Sequence, residues 1–257
     1  MALNFAIDGG VATGGSTLAK NVAREFGFEI IPTSQTYRGL SLLMAREGHA
    51  ATDVTEAYIV DFLLENKGRL ALTSAGIEID NENCSVEAGQ EIHGRGASIV
   101  SAIQTVRDEY GNPAVLACTA NSPVNTVSEG RNEFRLFSGA DKLLAGVYLH
   151  ASAESRIQRF RKEAARRLNK SPEVITDQEI AVMILERDLS DMKRTTEPLI
   201  PHENALELDY RSAEGMSELV QAVRARRQVK IDTGPRHMTA DRVFQVASTM
   251  IDVALRT

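Results

Sequence analysis

Residues 5–28 read FAIDGGVATGGSTLAKNVAREFGF, and the chemistry they suggest is phosphate binding. An apolar strand, a glycine-rich turn and an amphipathic helix follow one another. That order presents backbone N–H groups at a helix N-terminus to an anion. Gly9, Gly10, Gly14 and Gly15 permit a close approach, and Ser16 and Thr17 add hydroxyls suited to phosphate or, at Ser16, to magnesium. The pattern G-x-x-x-x-G-K-[ST] asks for a lysine after its second glycine, but here Gly15 follows Gly14. Lys20 lies five residues further on, about 140° round the helix and roughly 7 Å along it, on a different face. Taken alone, the run also fits a tight strand-to-helix turn.

Charged residues form a second group, crowded into 153–195. Arg187, Asp191 and Arg194 stand at i, i+4 and i+7, where neighbouring charges on a helix routinely pair. Guanidinium forks are equally suited to phosphate oxygens. Arg156, Arg159, Arg161, Arg166 and Arg167 precede them on another helical stretch. The histidines at 49, 93, 150, 202 and 237 have no ligand or triad spacing and read as structural or surface residues.

These residues need a scaffold, and the hydrophobic pattern supplies one. Residues 3–8 read as a buried strand and 16–27 as a helix, with Leu18, Val22 and Phe26 on one face and Gly27 as its stop. A short strand at 29–33 breaks at Pro32, and 36–47 and 54–66 read as helices. Short β-like runs fill 70–96, helical text follows at 97–109, and a strand-to-turn transition lies at 125–132. The apolar run 142–152 is expected as a parallel strand buried on both faces. Helices then cover 153–195, a last strand 205–210, and a helix 217–227. Alternating strands and helices predict an α/β fold, a doubly wound parallel sheet with ligands beyond the carboxyl ends of its strands.

The 257 residues, 43% hydrophobic and 25% charged, suit one α/β domain with small insertions. A net charge of -6 leaves no basic footprint for nucleic acid. Cys84 and Cys118 have no metal-ligand spacing, and a reduced, cytoplasmic protein is expected. The stretch MALNFAID lacks the features of a signal peptide. No apolar run nears the roughly 18 residues of a membrane helix. The tail 228–257 carries a helical stripe of Val243, Val246, Ala247, Met250, Ile251 and Leu255, to pack on its own domain or pair copies of the chain.

Four motifs in order give the chain a resemblance to the bacterial cytidylate kinase family, P-loop nucleoside-monophosphate kinases. They are the glycine loop, TSQTYRGL at 33–40, EGRN at 129–132 and ERDLSDMKRTTEPLIPHENALELD at 186–209. The family patterns are T-G-x-x-Y-R, D-G-R-D and R-D-x-x-D-x-x-R-x-x-x-P-L-x-P-x-x-x-A-L-x-L-D. The resemblance runs from about residue 4 to residue 227. It implies a kinase-like domain over 1–227 with a monophosphate-binding insertion at about 68–100 and a mobile lid at about 154–185, followed by a C-terminal helical extension. It also implies that Arg38, Arg131, Arg187 and Arg194 converge on the acceptor phosphate and the transferring phosphoryl group, with Asp191 orienting the ribose or the arginines. Arg107 and Asn132 would meet the substrate base, and Arg159 in the lid would meet the donor. ATP or another nucleoside triphosphate with Mg2+ is the implied cofactor set.

The departures from the family fall at functional positions. Gly15 replaces the lysine, Pro32 and Asn132 replace aspartates, and EFRLFSGAD has lost G-T-x-x-F-P-D-A. Removing one preorganised donor at a developing oxyanion costs on the order of a hundred- to a thousand-fold in rate. A lid arginine or Arg135 could supply the charge instead. The expected activity is phosphoryl transfer from a nucleoside triphosphate to a pyrimidine or related nucleoside monophosphate. The alternatives are a repurposed nucleotide-acting enzyme with non-kinase chemistry and a non-catalytic nucleotide-binding protein.

Overall fold

The computed structural model describes residues 2–193, 199–207, 213–233 and 239–256. The chain divides into two compact units, one of Glu29–Thr126 with Met1–Ala2, the other of Leu3–Phe28 with Val127–Thr257. It starts with β1 (Asn4–Gly9), passes the glycine loop and enters α1 (Gly15–Phe26), which Gly27 ends at a left-handed φ of 67°. β2 (Glu29–Ile31) leads through Pro32 into α2 (Thr33–Arg46). α3 (Glu56–Asn66) starts at Thr55, whose hydroxyl accepts from the Tyr58 N–H. The short strands β3 (Leu70–Thr73), β4 (Gly76–Ile79) and β5 (Glu82–Asn83) form an antiparallel meander. Then come α4 (Ser85–Ala88), α5 (Glu91–Val100), α6 (Gln104–Val106), a π-helical turn at Arg107–Gly111, and α7 (Asn112–Asn121).

The chain goes on through β6 (Thr126–Gly130), α8 (Glu133–Gly139) and β7 (Leu143–His150). Two helices that pack on each other follow, α9 (Ala153–Leu168) and α10 (Asp177–Lys193). The remaining elements are β8 (Leu206–Glu207), α11 (Ala213–Arg224), β9 (Val229–Asp232) and α12 (Ala240–Leu255). Among the described residues no helix is long and apolar enough to cross a membrane.

In the unit that holds the glycine loop, strands run in the order β6-β1-β7-β9-β8. β1 pairs in parallel with β7, Ile7 opposite Val147 and Gly9 opposite Leu149, and β7 and β8 both pair in parallel with β9. All six residues of β1 are buried, the mark of a strand covered on both faces. Phe5, Ile7, Leu18, Val22, Val147, Leu149, Val246 and Met250 share one core. α8 packs on β1 and β7, and Gly146 leaves the room that the Phe134 ring takes. The result is the P-loop kinase-like, doubly wound α/β architecture, with the glycine loop at the carboxyl end of β1.

The expected last strand at 205–210 is followed by another. β9 lies in the tail and enters the sheet between β7 and β8. With four residues, of which Val229 and Ile231 are buried, its alternation is too short to stand out beside RARRQ. α12 follows and packs on α1, α11 and β7, so Val243, Val246, Ala247, Met250 and Ile251 are covered by their own chain.

In the other unit α2 packs on α5 and on β4 around Leu40, Leu43, Met44, Ile59, Leu63 and Ile77. Here the expectation of β-like runs to residue 96 meets helix from Ser85 onward. Asn83 starts that change, its side-chain oxygen accepting from the Ser85 N–H at 3.0 Å. Gly94 and Gly96, which read as turn residues, lie inside α5. A Cβ on Gly94 would stand 2.9 Å from an Arg38 nitrogen, and one on Gly96 would overlap Ser41. Their smallness serves helix packing.

If α12 is structural in this way, Met250→Ala should cost about 2–5 kcal/mol, the range for a large side chain removed from a core. Urea denaturation reads this as a fall in midpoint at unchanged slope.

Candidate functional site

The loop between β1 and α1 is shaped by its own atoms first. The Thr13 hydroxyl donates to the Gly10 carbonyl at 3.0 Å, and the Gly14 carbonyl accepts from the N–H groups of Thr17 and Leu18 at 3.1 and 3.0 Å. Gly14 has φ +104°, a conformation that L side chains rarely adopt. A Cβ on Gly9 would stand 2.7 Å from both the Leu149 carbonyl oxygen and the Thr13 hydroxyl. Above the loop lies a cavity of about 400 Å3. Residues 10–17 form one wall, and Glu129, Arg131, Arg159 and Arg187 are among the others.

Arg131 enters from the end of β6. Its Nε donates to Asp191 Oδ2 at 2.9 Å, its Nη1 donates to the Gly9 carbonyl at 2.7 Å, and Glu129 Oε1 stands 3.7 Å away. Burial works against its charge, but the Glu129 and Asp191 carboxylates outweigh burial and raise its pKa. Arg187, from α10, is exposed to the solvent of the cavity and has no hydrogen bond or ion pair among the described residues. The protein around it, then the charge of Arg131, pull its pKa below the usual guanidinium value. An arginine stays protonated through such a shift, so Arg187 offers an anion a cation without a carboxylate bonded to it.

The helices α9 and α10 hold the loop directly. Asp188 Oδ1 accepts from the Val11 N–H at 3.1 Å, Arg156 Nε donates to the Val11 carbonyl at 2.7 Å, and Arg156 and Asp188 form an ion pair. Arg159 Nη1 donates to the Thr233 hydroxyl at 2.9 Å and to the carbonyls of Ala12 and Thr13 at 3.4 Å. Thr233, just after β9, donates its own hydroxyl to the Thr13 carbonyl at 2.7 Å. Of the expected lid arginines, then, Arg156 and Arg159 reach the loop. Arg161 bonds Ile175 and Asp177, and Arg166 and Arg167 bond Glu163, all within the two helices and their connection.

In β1, just before the glycine loop, buried Asp8 accepts from the N–H groups of Glu133 at 2.6 Å and Phe134 at 3.1 Å, and from Gln228 Nε2 at 2.9 Å. It fixes the start of α8, directly after Arg131 and Asn132. Burial pushes its carboxyl from an ordinary 3.8 up to about 6, against those three donors and the Arg131 charge.

The structure thus gathers Gly9, Gly10, Gly14, Gly15, Ser16, Thr17, Arg131, Arg159, Arg187 and Asp191 in one unit. Asn132 is the residue before α8. Arg38 and Arg107 belong to the other unit. There Arg38 Nη1 donates to the carbonyls of Ala88, Gly89 and Gln90 at 3.1–3.2 Å. Arg107 is buried, donates from Nε to the Ser101 carbonyl at 2.6 Å and lies over the Tyr37 ring. Arg194 lies outside the described residues. Sequence reasoning missed the roles of Asp188 and Thr233. Asp188 stands inside the motif at 186–209 and carried the signal; Thr233 follows a strand too short to read.

Ser16 Oγ donates to Glu129 Oε2 at 3.2 Å beside the loop. A hydroxyl and a carboxylate next to a phosphate site fit Mg2+, which takes one or two protein oxygens and completes its shell with phosphate and water. Among the described residues no group of three or more His, Cys, Asp or Glu is placed to hold a metal ion, and such a site needs none.

The sequence profile of the cytidylate kinase family matches residues 5–228. A cytidylate kinase of Thermotoga maritima is 28% identical over 229 residues, covering 88% of this chain and 99% of its own. Another, of Caldanaerobacter subterraneus subsp. tengcongensis, is 30% identical over 218 residues, covering 81% and 88%. Among solved structures, a shikimate kinase from Acinetobacter baumannii in complex with shikimate matches at 13% identity and TM-score 0.37, over 100% of this chain and 94% of that one. The chain belongs to the cytidylate kinase family.

Two measurements follow from the geometry. Asp188→Ala strands the Arg156 charge and the Val11 N–H and should cost about 3–5 kcal/mol, with Arg156→Ala/Asp188→Ala costing less than the sum of the single changes. The raised Asp8 carboxyl gives stability that is fully present below about pH 4 and lost as pH rises through about 6. That difference is worth about 3 kcal/mol at most. Asp8→Asn should flatten the urea midpoint across this window.

Proposed function

We propose that the chain transfers a phosphoryl group from a nucleoside triphosphate, ATP being the natural donor, to a pyrimidine or related nucleoside monophosphate. The observation that carries this reading is that the glycine loop, at the N-terminus of α1, lines one cavity together with two guanidinium groups, Arg131 and Arg187. Phosphoryl transfer asks a protein chiefly for alignment and for cations around the charge that spreads over the moving group. The loop N–H groups hold the donor's phosphate chain. Arg131, fixed by Asp191 and by the Gly9 carbonyl, keeps one orientation through the reaction. Arg187 neutralises the transferring group. Ser16 and Glu129 would hold Mg2+, which would supply further charge neutralisation.

Arg38 and Arg194 complete the acceptor side in this reading, and Arg107 and Asn132 read the base. An amide at 132 both donates and accepts, so it suits a base edge other than the one an aspartate reads. Family membership supports a small nucleotide as the partner, and a pairing of copies through α12 would have to use a face other than its buried stripe.

A second reading has one observation in its favour: Gly15 brings no cation to the loop. In that reading the protein binds nucleotides without transferring phosphate. Turnover with Mg-ATP and a panel of nucleoside monophosphates, resolved by chromatography, separates the two. The kinase reading expects diphosphate formation, reduced on the order of a hundred- to a thousand-fold in kcat by Arg131→Ala. Ligand-induced stabilisation without turnover on any monophosphate would instead establish the binding protein.

A further inference from the structure

Gly15 stands where a phosphate loop carries its lysine, and a carboxylate side chain fills the space. A Cβ built on Gly15 would lie 2.6 Å from Glu129 Cγ, 3.0 Å from its Oε1 and 3.1 Å from its Cδ. The reason for this glycine is therefore spatial. Gly14 differs: it has φ +104° and nothing within 4 Å of a built Cβ, whereas Gly15 is the first residue of α1 and is absent from the positive-φ positions. Gly14 is needed for its backbone, Gly15 for what it leaves empty.

Glu129 is held in that space. Its Oε2 accepts from Ser16 Oγ at 3.2 Å and its Oε1 stands 3.7 Å from Arg131 Nη1. The carboxylate thus sits at the N-terminus of α1, where helix N–H groups favour an anion. A phosphate oxygen that comes to this part of the loop meets a negative charge where the P-loop pattern puts a positive one.

We propose that Gly15 and Glu129 form a matched pair that sets ligand specificity: Glu129 fills the place of a side chain at 15 and makes the loop take a polyphosphate only together with a divalent cation. The proposal rests on the reading that the loop binds the phosphate chain of a donor. A bound divalent cation would offset the Glu129 carboxylate's charge, and without it that carboxylate and a phosphate would repel each other at short range. Two consequences differ from those of a merely missing lysine. A larger residue at 15 is excluded while Glu129 keeps its length. Removal of the Glu129 charge at constant size opens the loop to metal-free phosphate.

The test uses the full chain and inorganic tripolyphosphate, titrated by calorimetry in EDTA and in Mg2+. The unaltered protein should bind at least about tenfold more tightly with Mg2+, and Glu129→Gln should gain about tenfold in EDTA and lose most of the Mg2+ response, the scale of one partly screened like-charge contact. In parallel, Gly15→Ala should lower the melting temperature, although alanine is otherwise preferred to glycine in a helix, and Gly15→Ala/Glu129→Asp should recover it. An equal Mg2+ response in Glu129→Gln, or a Gly15→Ala protein as stable as the parent, overturns the proposal. Absence of tripolyphosphate binding under every condition overturns it as well. Turnover together with an unchanged Mg2+ response sinks the pair and spares the kinase reading. The expected binding pattern without turnover does the reverse.

Discussion

Val11 is gripped at both of its polar backbone atoms, and the cavity takes its form from that grip. Asp188 accepts the N–H, Arg156 donates to the carbonyl, and the two bond each other. The Val11 side chain points the same way, into the cluster of Phe160, Ala164, Ile180 and Ile184 between α9 and α10. Gly10 makes this approach possible, since a Cβ there would stand 2.8 Å from Asp188 Oδ2. A glycine-rich loop has few side-chain contacts of its own, so its shape must be set by what packs and bonds against it. Here the holders are the helices that also carry Arg159 and Arg187. The loop and its cations are one mechanical assembly.

Charge in the cavity follows from which pairs are already closed. Arg156 is bonded to Asp188, and Arg131 to Asp191. Both pairs are partly screened from water, where an ion pair orients its members more than it stabilises the fold. Arg187 adds a positive charge to the lining, and Glu129 a negative one. The cavity therefore presents charge of both signs, with Glu129 set beside Arg131 at 3.7 Å.

Much of this was legible in the chain. A buried strand, a glycine turn and a helix announce themselves within 24 residues, because the contacts that define them are local. Arg131, Arg187 and Asp191 were named from the chain and lie in one unit, but their partners were not legible: that Arg131 bonds the Gly9 carbonyl, 122 positions away, is a tertiary fact. The segment after Asn83 misled because glycine in sequence speaks first of turns, while Gly94 and Gly96 are small for the sake of a neighbouring helix. β9 escaped because four residues give too little alternation to see. Glu129, the first residue of EGRN, was not singled out in the sequence. Its side chain matters only once it is seen against Gly15.

The position of β9 has a consequence for how the molecule is made. β8 has β9 as its neighbour in the sheet, and it leaves the ribosome before that neighbour exists. Until β9 has been synthesised and has slid in beside β7, the edge of β7 remains open and β8 has no strand to join. Thr233, which buttresses the glycine loop, arrives with it. The loop near the start of the chain thus waits for residue 233 before it has all its supports, and a nascent chain stopped short of that point would carry the motif without the site.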